Sequence, residues 1–262
     1  MDSKNIQEKI KIKQEHLFFK AKDPITQKDI KFDVCSDWTL FRAKTLMSKE
    51  PETISWIRGF EKGSVFYDIG ANVGVYTLFA SLISEAKTYS FEPSSSNFVT
   101  LVKNINMNGI QKVAIPYCIG LDNKVAFTKL YMPNLDLGSS GHSVGEAVDP
   151  LLKPADFPFS QGIFSITLDE LVENWGFPCP NYIKIDVDNI EHKIIEGASN
   201  LLSNNKILKS VLIEMNTKKD MGLKTLKKME ANGFFFDEND TKVRTKKEGW
   251  NAGEANYIFF RQ

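Results

Sequence analysis

Cysteine is scarce in this chain, and its three copies, Cys35, Cys118 and Cys179, stand far apart. That spacing excludes a disulfide framework and a paired-cysteine metal centre, and it suits free thiols in a reducing compartment. No apolar run approaches the ~18 residues that a membrane span needs. The polar, Lys-rich N-terminus lacks the apolar segment of a secretory signal, so a cytoplasmic location is expected. Excess charge of either sign is missing too: 33 Lys and Arg stand against 33 Asp and Glu. No global field therefore draws the chain to nucleic acid or to anionic lipid. The local basic group Lys242, Arg244, Lys246 and Lys247 is interleaved with Asp237, Glu238, Asp240 and Glu248, as in a solvated loop. There is no internal repeat. What is present, 42% hydrophobic and 25% charged residues in a chain of 262, suffices for one sizeable α/β domain with a small extension.

The chain divides near residue 60. Before it, residues 1 to about 15 have only Ile6, Ile10 and Ile12 as apolar anchors of a short helix. Leu17-Phe18-Phe19 and the alternating Ile30, Phe32 and Val34 read as two strands around a polar turn. Helices are expected from Asp37 and from Pro51, the latter ending at Gly63. Residues 1–60 thus form an N-terminal extension, a place where a homo-oligomer contact would sit. From Ser64 onward, strands (64–68, 87–92, 113–119, 181–186, 209–215) alternate with helices (75–84, 95–108, 167–174, 190–202, 219–232). Such alternation argues for a mostly parallel sheet covered on both faces. The last two strands, 233–237 and 255–261, are joined by a polar loop, which a final antiparallel strand would explain. Residues 133–162, rich in Pro, Gly, Ser and Asp, read as one long loop, either functional or disordered.

Asp68-Ile69-Gly70-Ala71-Asn72-Val73-Gly74 follows the first strand of residues 61–262 and opens its helix. Gly70 and Gly74 clear space for a ligand against the backbone. A dinucleotide fingerprint needs a glycine where Asn72 stands, and a carboxylate at Asp68 would repel a pyrophosphate but suits a methionyl ammonium. The alternative for Asp68 is a buried acid that braces the turn. Glu92, at the end of the next strand, is placed to accept hydrogen bonds from two ribose hydroxyls. Together these favour S-adenosylmethionine over NAD.

These residues, with Phe91-Glu92-Pro93, Asn104 to Gly109, Thr167-Leu168-Asp169, Ile183-Lys184-Ile185-Asp186-Val187, Glu191, Gly197-Ala198 and Glu214, resemble the FkbM-type methyltransferases over roughly residues 40 to 262. The resemblance implies a class I methyltransferase (Rossmann-like) fold with a seven-strand sheet, mostly parallel with an antiparallel last strand. It implies S-adenosyl-L-methionine as donor and a hydroxyl of a sugar or polyketide-like metabolite as acceptor. Carried over, Asp68, Gly70, Ala71, Asn72 and Gly74 line the methionine end and Glu92 holds the ribose. Ser94 and Cys118 flank the adenine. One departure stands out: the family's Asp-Val-Glu-Gly-x-Glu reads Asp186-Val187-Asp188-Asn189-Ile190-Glu191 here.

An alcohol is a poor nucleophile at neutral pH, so a general base or a metal is expected. Asp186, at the end of a buried strand, is the first choice for the base; capping the next helix is its alternative. Glu214 ends the neighbouring strand, and with Asp186 and Asn216 it offers oxygen ligands, so Mg²⁺ is a weaker possibility. His142, in Gly138-Ser139-Ser140-Gly141-His142-Ser143, suits a base if it faces the substrate; the alternative is a solvated side chain. A small-molecule or glycan O-methyltransferase is the leading function. The departure at Asp188 leaves a catalytically inactive cofactor-binding module as the rival. A nucleic-acid methyltransferase is disfavoured by the neutral charge and the lack of an Asn/Asp-Pro-Pro-Tyr motif.

Overall fold

The computed structural model describes residues 17–149, 153–188, 190–249 and 251–261; the N-terminal helix expected above, His16 and Asn189 lie outside them. The chain enters with β1 (Phe18–Lys22) and β2 (Asp29–Asp33), an antiparallel hairpin. Its turn is held by Asp23, which accepts from the N–H and the hydroxyl of Thr26, each at 2.7 Å. Helix α1 (Asp37–Lys44) starts with a reciprocal capping box between Ser36 and Thr39. Helix α2 (Pro51–Arg58) has proline in its first turn and stops at Gly59, not at Gly63 as expected.

Strand β3 (Val65–Ile69), helix α3 (Val75–Ile83), strand β4 (Lys87–Phe91), helix α4 (Ser95–Met107) and strand β5 (Ala114–Tyr117) follow. The chain then builds β6 (Gly120–Leu121), β7 (Ala126–Met132), β8 (Ser143–Val144) and β9 (Phe159–Ile166). It returns through α5 (Leu168–Glu173), β10 (Tyr182–Ile185), α6 (Glu191–Glu196), α7 (Ser199–Asn204) and β11 (Ser210–Asn216). Helix α8 (Asp220–Ala231), β12 (Phe234–Phe235), α9 (Glu238–Arg244) and β13 (Glu254–Arg261) complete it.

The main sheet has seven strands in the order β12-β13-β11-β10-β3-β4-β5. β5, β4, β3, β10 and β11 run parallel, and β13 inserts antiparallel beside β11, as the polar connection before it implied. Alternate residues face opposite layers. Tyr67, Ile69, Ile183, Ile185 and Ile213 pack with α6 and α7 on one side. Phe66 and Leu212 pack on the other with Leu78 and Phe79 of α3. That second layer also takes in Ile30, Phe32, Ile54, Trp56 and Ile57, so the N-terminal extension shares the core of the sheet. Trp56 donates from Nε1 to the Ser210 hydroxyl at 2.9 Å, and Phe60 stacks on Tyr182 with ring centres 3.9 Å apart. Strand order reverses between β3 and β10, which opens a crevice at their C-terminal ends.

Three expectations need correction. Residues 133–162 are not one long loop, because β8 and the start of β9 lie within them and join β6 and β7 in a second sheet of order β6-β9-β7-β8. The helix expected over 190–202 is two helices broken at Gly197, where a Cβ would lie 2.5 Å from the Asp122 carbonyl. The polar connection before β13 contains α9, capped by Asp237. No helix among the described residues is long and apolar enough to cross a membrane.

Asp23 links the hairpin to α2. Burial pushes its carboxyl up, but hydrogen bonds from Arg58 and Thr26 outweigh that and hold it down at about 2. Its folded value lies below its ordinary 3.8, so the stability it contributes is full above pH 4 and is lost as pH falls through 2. Arg58→Met should cost about 2 kcal/mol at pH 7, below the ~3–5 kcal/mol of breaking a fully buried pair because Arg58 is partly exposed. The deficit should shrink between pH 4 and pH 2 in urea-unfolding curves.

Candidate functional site

Leaving β3, the chain turns sharply through two left-handed residues, Gly70 (φ +78°) and Asn72 (φ +51°). Gly70 passes so close to β10 that a Cβ there would lie 2.0 Å from the Asp186 carbonyl oxygen, a gap that only glycine allows. The N–H groups of Gly70 and Ala71 donate to the Phe91 carbonyl at 3.0 and 3.1 Å, which ties the turn to the end of β4. At Gly74 a Cβ would lie 2.4 Å from Leu101 of α4. The clearance therefore serves helix-to-helix packing, not helix-to-strand packing.

Glu92 sits where these loops meet. One carboxylate oxygen accepts from Asn72 N at 2.8 Å and the other from Ser94 N at 2.9 Å. Glu92 is buried yet lines a cavity of about 290 Å³. Burial raises its pKa to about 7 against the pull of these two N–H donors. Phe91, Pro93, Ile119, Leu121 and Leu130 give the cavity an apolar slot beside Glu92.

Asp68 does not face this cavity. It is buried beneath the turn, with Oδ2 accepting from the Thr77 hydroxyl at 2.6 Å, and Oδ1 has no hydrogen-bond partner among the described residues. Burial drives its carboxyl upward. The structural alternative weighed for Asp68 is the observed one. Ala71 lines a small neighbouring recess of about 40 Å³. Ser94 and Cys118 are outside the walls of both: Ser94 is buried against the Ser96 hydroxyl, and Cys118 is exposed beside Pro93. The neighbours Pro93 and Ile119 line the cavity in their stead.

Asp186, Glu214 and His142 also line the cavity. Lys184 donates to Asp186 at 2.6 Å, and although burial opposes ionisation, Lys184 and Lys49 hold Asp186 well below the carboxylate range. Glu214 lies 3.0 Å from Lys246, yet burial and then the charges of Asp186 and Glu254 push it up to about 8. His142 is driven down to about 4 by burial and then by Arg42, so its ring is neutral and its pKa lies well below neutrality. Asn216 does not join them; its side chain is held by Ala252 and Lys218 and faces a separate cavity. Among the described residues, no group of three or more His, Cys, Asp or Glu side chains is placed to hold a metal ion.

Sequence patterns did not single out several participants. Lys184 is buried in the middle strand, 1% exposed, with its ammonium 4.6 Å from the centre of the Tyr76 ring. Arg42 and Lys49 arrive from the N-terminal extension, and Lys246 and Glu254 from the last connection. A lysine inside the apolar run Ile183-Lys184-Ile185 was the available signal. Asp188, the departure from the family pattern, accepts from Gly141 N at 2.9 Å and His142 N at 2.8 Å. It thereby anchors residues 137–142 over the cavity, and the same segment is held by Asn72, Asn97 and Arg42 through the carbonyls of Gly138 and Ser139.

The family model of the methyltransferase FkbM domain matches residues 68–236. The hexuronic acid methyltransferase AglP of Haloferax volcanii is 25% identical over 172 residues, 66% of this chain and 65% of that protein. The chain thus spans slightly under two thirds of that relative. Among solved structures, a methyltransferase FkbM from Methylobacillus flagellatus is similar at 12% identity and a TM-score of 0.49, over 87% of this chain and 56% of that one. A precorrin-6y C5,15-methyltransferase from Geobacter metallireducens follows at 13% identity and a TM-score of 0.45, over 84% of this chain and 92% of that one. With its match running from the acid of the β3 turn through β12, this chain belongs to the FkbM methyltransferase family.

Proposed function

We propose that this protein transfers a methyl group from S-adenosylmethionine to a hydroxyl oxygen of a sugar or sugar-like small molecule. The observation that carries the cofactor reading is the meeting of Gly70 and Glu92 at one cavity. The first lets the β3 turn pass against the Asp186 carbonyl and line the cavity, and the second turns a carboxylate with spare lone pairs toward the same space. A ribose with two hydroxyls fits Glu92, and a flat purine fits the slot beside Phe91, Pro93 and Ile119. The sugar acceptor is supported by the hexuronic acid methyltransferase among its relatives.

When bound, S-adenosylmethionine supplies an electrophilic methyl group on a sulfonium, so the protein's task is to position the partners and remove one proton. Glu214 suits that proton better than Asp186 does. Asp186 is held ionised by lysines and is a weak base, whereas Glu214, pushed up to about 8, is near the working range of a general base. The donor would give its methyl carbon to the acceptor oxygen and retain the electron pair of the carbon–sulfur bond on sulfur. The hydroxyl proton passes to the Glu214 carboxylate. Lys246, 3.0 Å away, keeps enough of that carboxylate ionised to accept it.

Calorimetry with S-adenosylhomocysteine tests the reading: wild type should bind and Gly70→Val should not. Wild type failing to bind would overturn it. Binding should also depend on pH through Glu92, because ribose hydroxyls bond the ionised carboxylate. Its pKa near 7 means that affinity should fall by up to about tenfold per pH unit below neutrality. Glu92→Gln should remove that slope. Glu214→Gln should retain binding while lowering kcat on an acceptor by about 10²-fold or more. In wild type, kcat should rise with pH toward an apparent pKa near 8.

A further inference from the structure

The small recess beside the main cavity is lined by charges of both signs. It shares Arg42, Lys49, Gly70, Asn72 and Asp186 with the main cavity, so the two spaces are continuous around the β3 turn. Glu214 and Lys246 do not reach it, so it lies away from the proposed base. Arg42 spends only Nε on the protein, donating to the Gly138 carbonyl at 2.6 Å. Among the described residues, its two terminal nitrogens have no hydrogen-bond partner. A guanidinium anchored in that way presents a planar pair of donors that matches a carboxylate. The Lys49 ammonium is bonded to Glu50 at 2.8 Å and has further protons to give. Asp186, ionised by its contact with Lys184, lines the same recess.

Two cations and a carboxylate lining one recess form the complement of an α-amino acid head group. An inorganic phosphate or a phosphorylated ligand would bring its charge against Asp186, which argues against either. We infer that Arg42 and Lys49 bind the α-carboxylate of the methionine portion of the donor, and that Asp186 receives its α-ammonium. This rests on the S-adenosylmethionine reading above and assigns the N-terminal extension a direct share in the cofactor site. The extension is thereby part of the binding machinery as well as of the core.

The test compares two ligands by calorimetry, S-adenosylhomocysteine and 5′-methylthioadenosine, a nucleoside thioether without the amino acid. Arg42→Met and Lys49→Met should each weaken S-adenosylhomocysteine by about tenfold or more. Binding of 5′-methylthioadenosine should change by less than about twofold, since no charge-assisted bond to it is lost. Parallel weakening of both ligands would mean that the residues act through the fold, and would overturn the assignment. Unchanged S-adenosylhomocysteine binding would overturn it too, as expected if the two cations serve an acidic acceptor. Should Arg42→Met unfold the 137–142 segment, Lys49→Met keeps the question open, because Lys49 makes no bond to that segment. A wild type that binds neither nucleoside would instead overturn the cofactor reading itself.

Discussion

One buried ammonium organises this site. Lys184 occupies the central strand of a sheet covered on both faces, where an uncompensated charge costs several kcal/mol. Compensation comes from Asp186 on its own strand, Asp68 directly across β3, and Glu50 at the entry to α2. Glu50 is itself buried, and it is satisfied by Lys49, Thr53 and Asn256. Holding Lys184 charged therefore commits the N-terminal extension to pack against the sheet. That packing brings Arg42 and Lys49 over the β3 turn. The aromatic ring of Tyr76 closes the remaining face of the ammonium.

This charge order separates two kinds of acid. Asp186 is saturated with cations and stays ionised. Glu92 and Asp188 have no such partner at bonding distance, and each is held by two backbone N–H groups instead. Hydrogen bonds of this kind fix geometry without fully offsetting desolvation, so both groups titrate high, near 7 and near 6. They act as joints between loops: Glu92 ties the β3 turn to the segment after β4, and Asp188 ties the segment after β10 to residues 137–142. Glu214 lies between the two kinds. It has a lysine, but the neighbouring Asp186 and Glu254 carboxylates leave it the group that carries the exchangeable proton.

The main sheet was legible because each of its parallel strands is a short apolar run bounded by turn residues, as in Ser64 to Asp68 and Ser210 to Glu214. Glu92 and Gly70 could be singled out because they sit at fixed offsets from strand ends, and both line the cavity. The second sheet was hidden. Along β7, Phe127 points outward at 89% exposure, while Leu130 and Met132 point inward, so the period of two is blurred. Its own core is little more than Leu130, Met132 and Ile163. The lysines and Arg42 were hidden for a different reason. A cation gains its meaning from the acids that fold up beside it, and Glu50, Asp68 and Asp186 are distant from one another in sequence. Asp68 looked like a ligand contact because its position is right, but the side chain turns inward to Thr77.

The second sheet is held partly by burial, because Leu121 of β6 and Ile166 of β9 lie in the core of the main sheet with Val144 and Phe164 packed against it. Its place over the cavity is set by hydrogen bonds to the rigid layer: Gln161 to Ser95 and Pro93, Asn72 and Asn97 to Ser139, Asp188 to Gly141 and His142. Those anchors belong to the same loops that form the donor site. The donor cavity and the proposed base on β11 are thus built on strands whose burial fixes them. The wall of residues 137–144 is hung from them by polar contacts. Side chains on that wall can change without disturbing the packing that positions Glu92, Asp186 and Glu214. The polar anchors of this wall and the buried strands that place Glu92, Asp186 and Glu214 are therefore distinct parts of the structure.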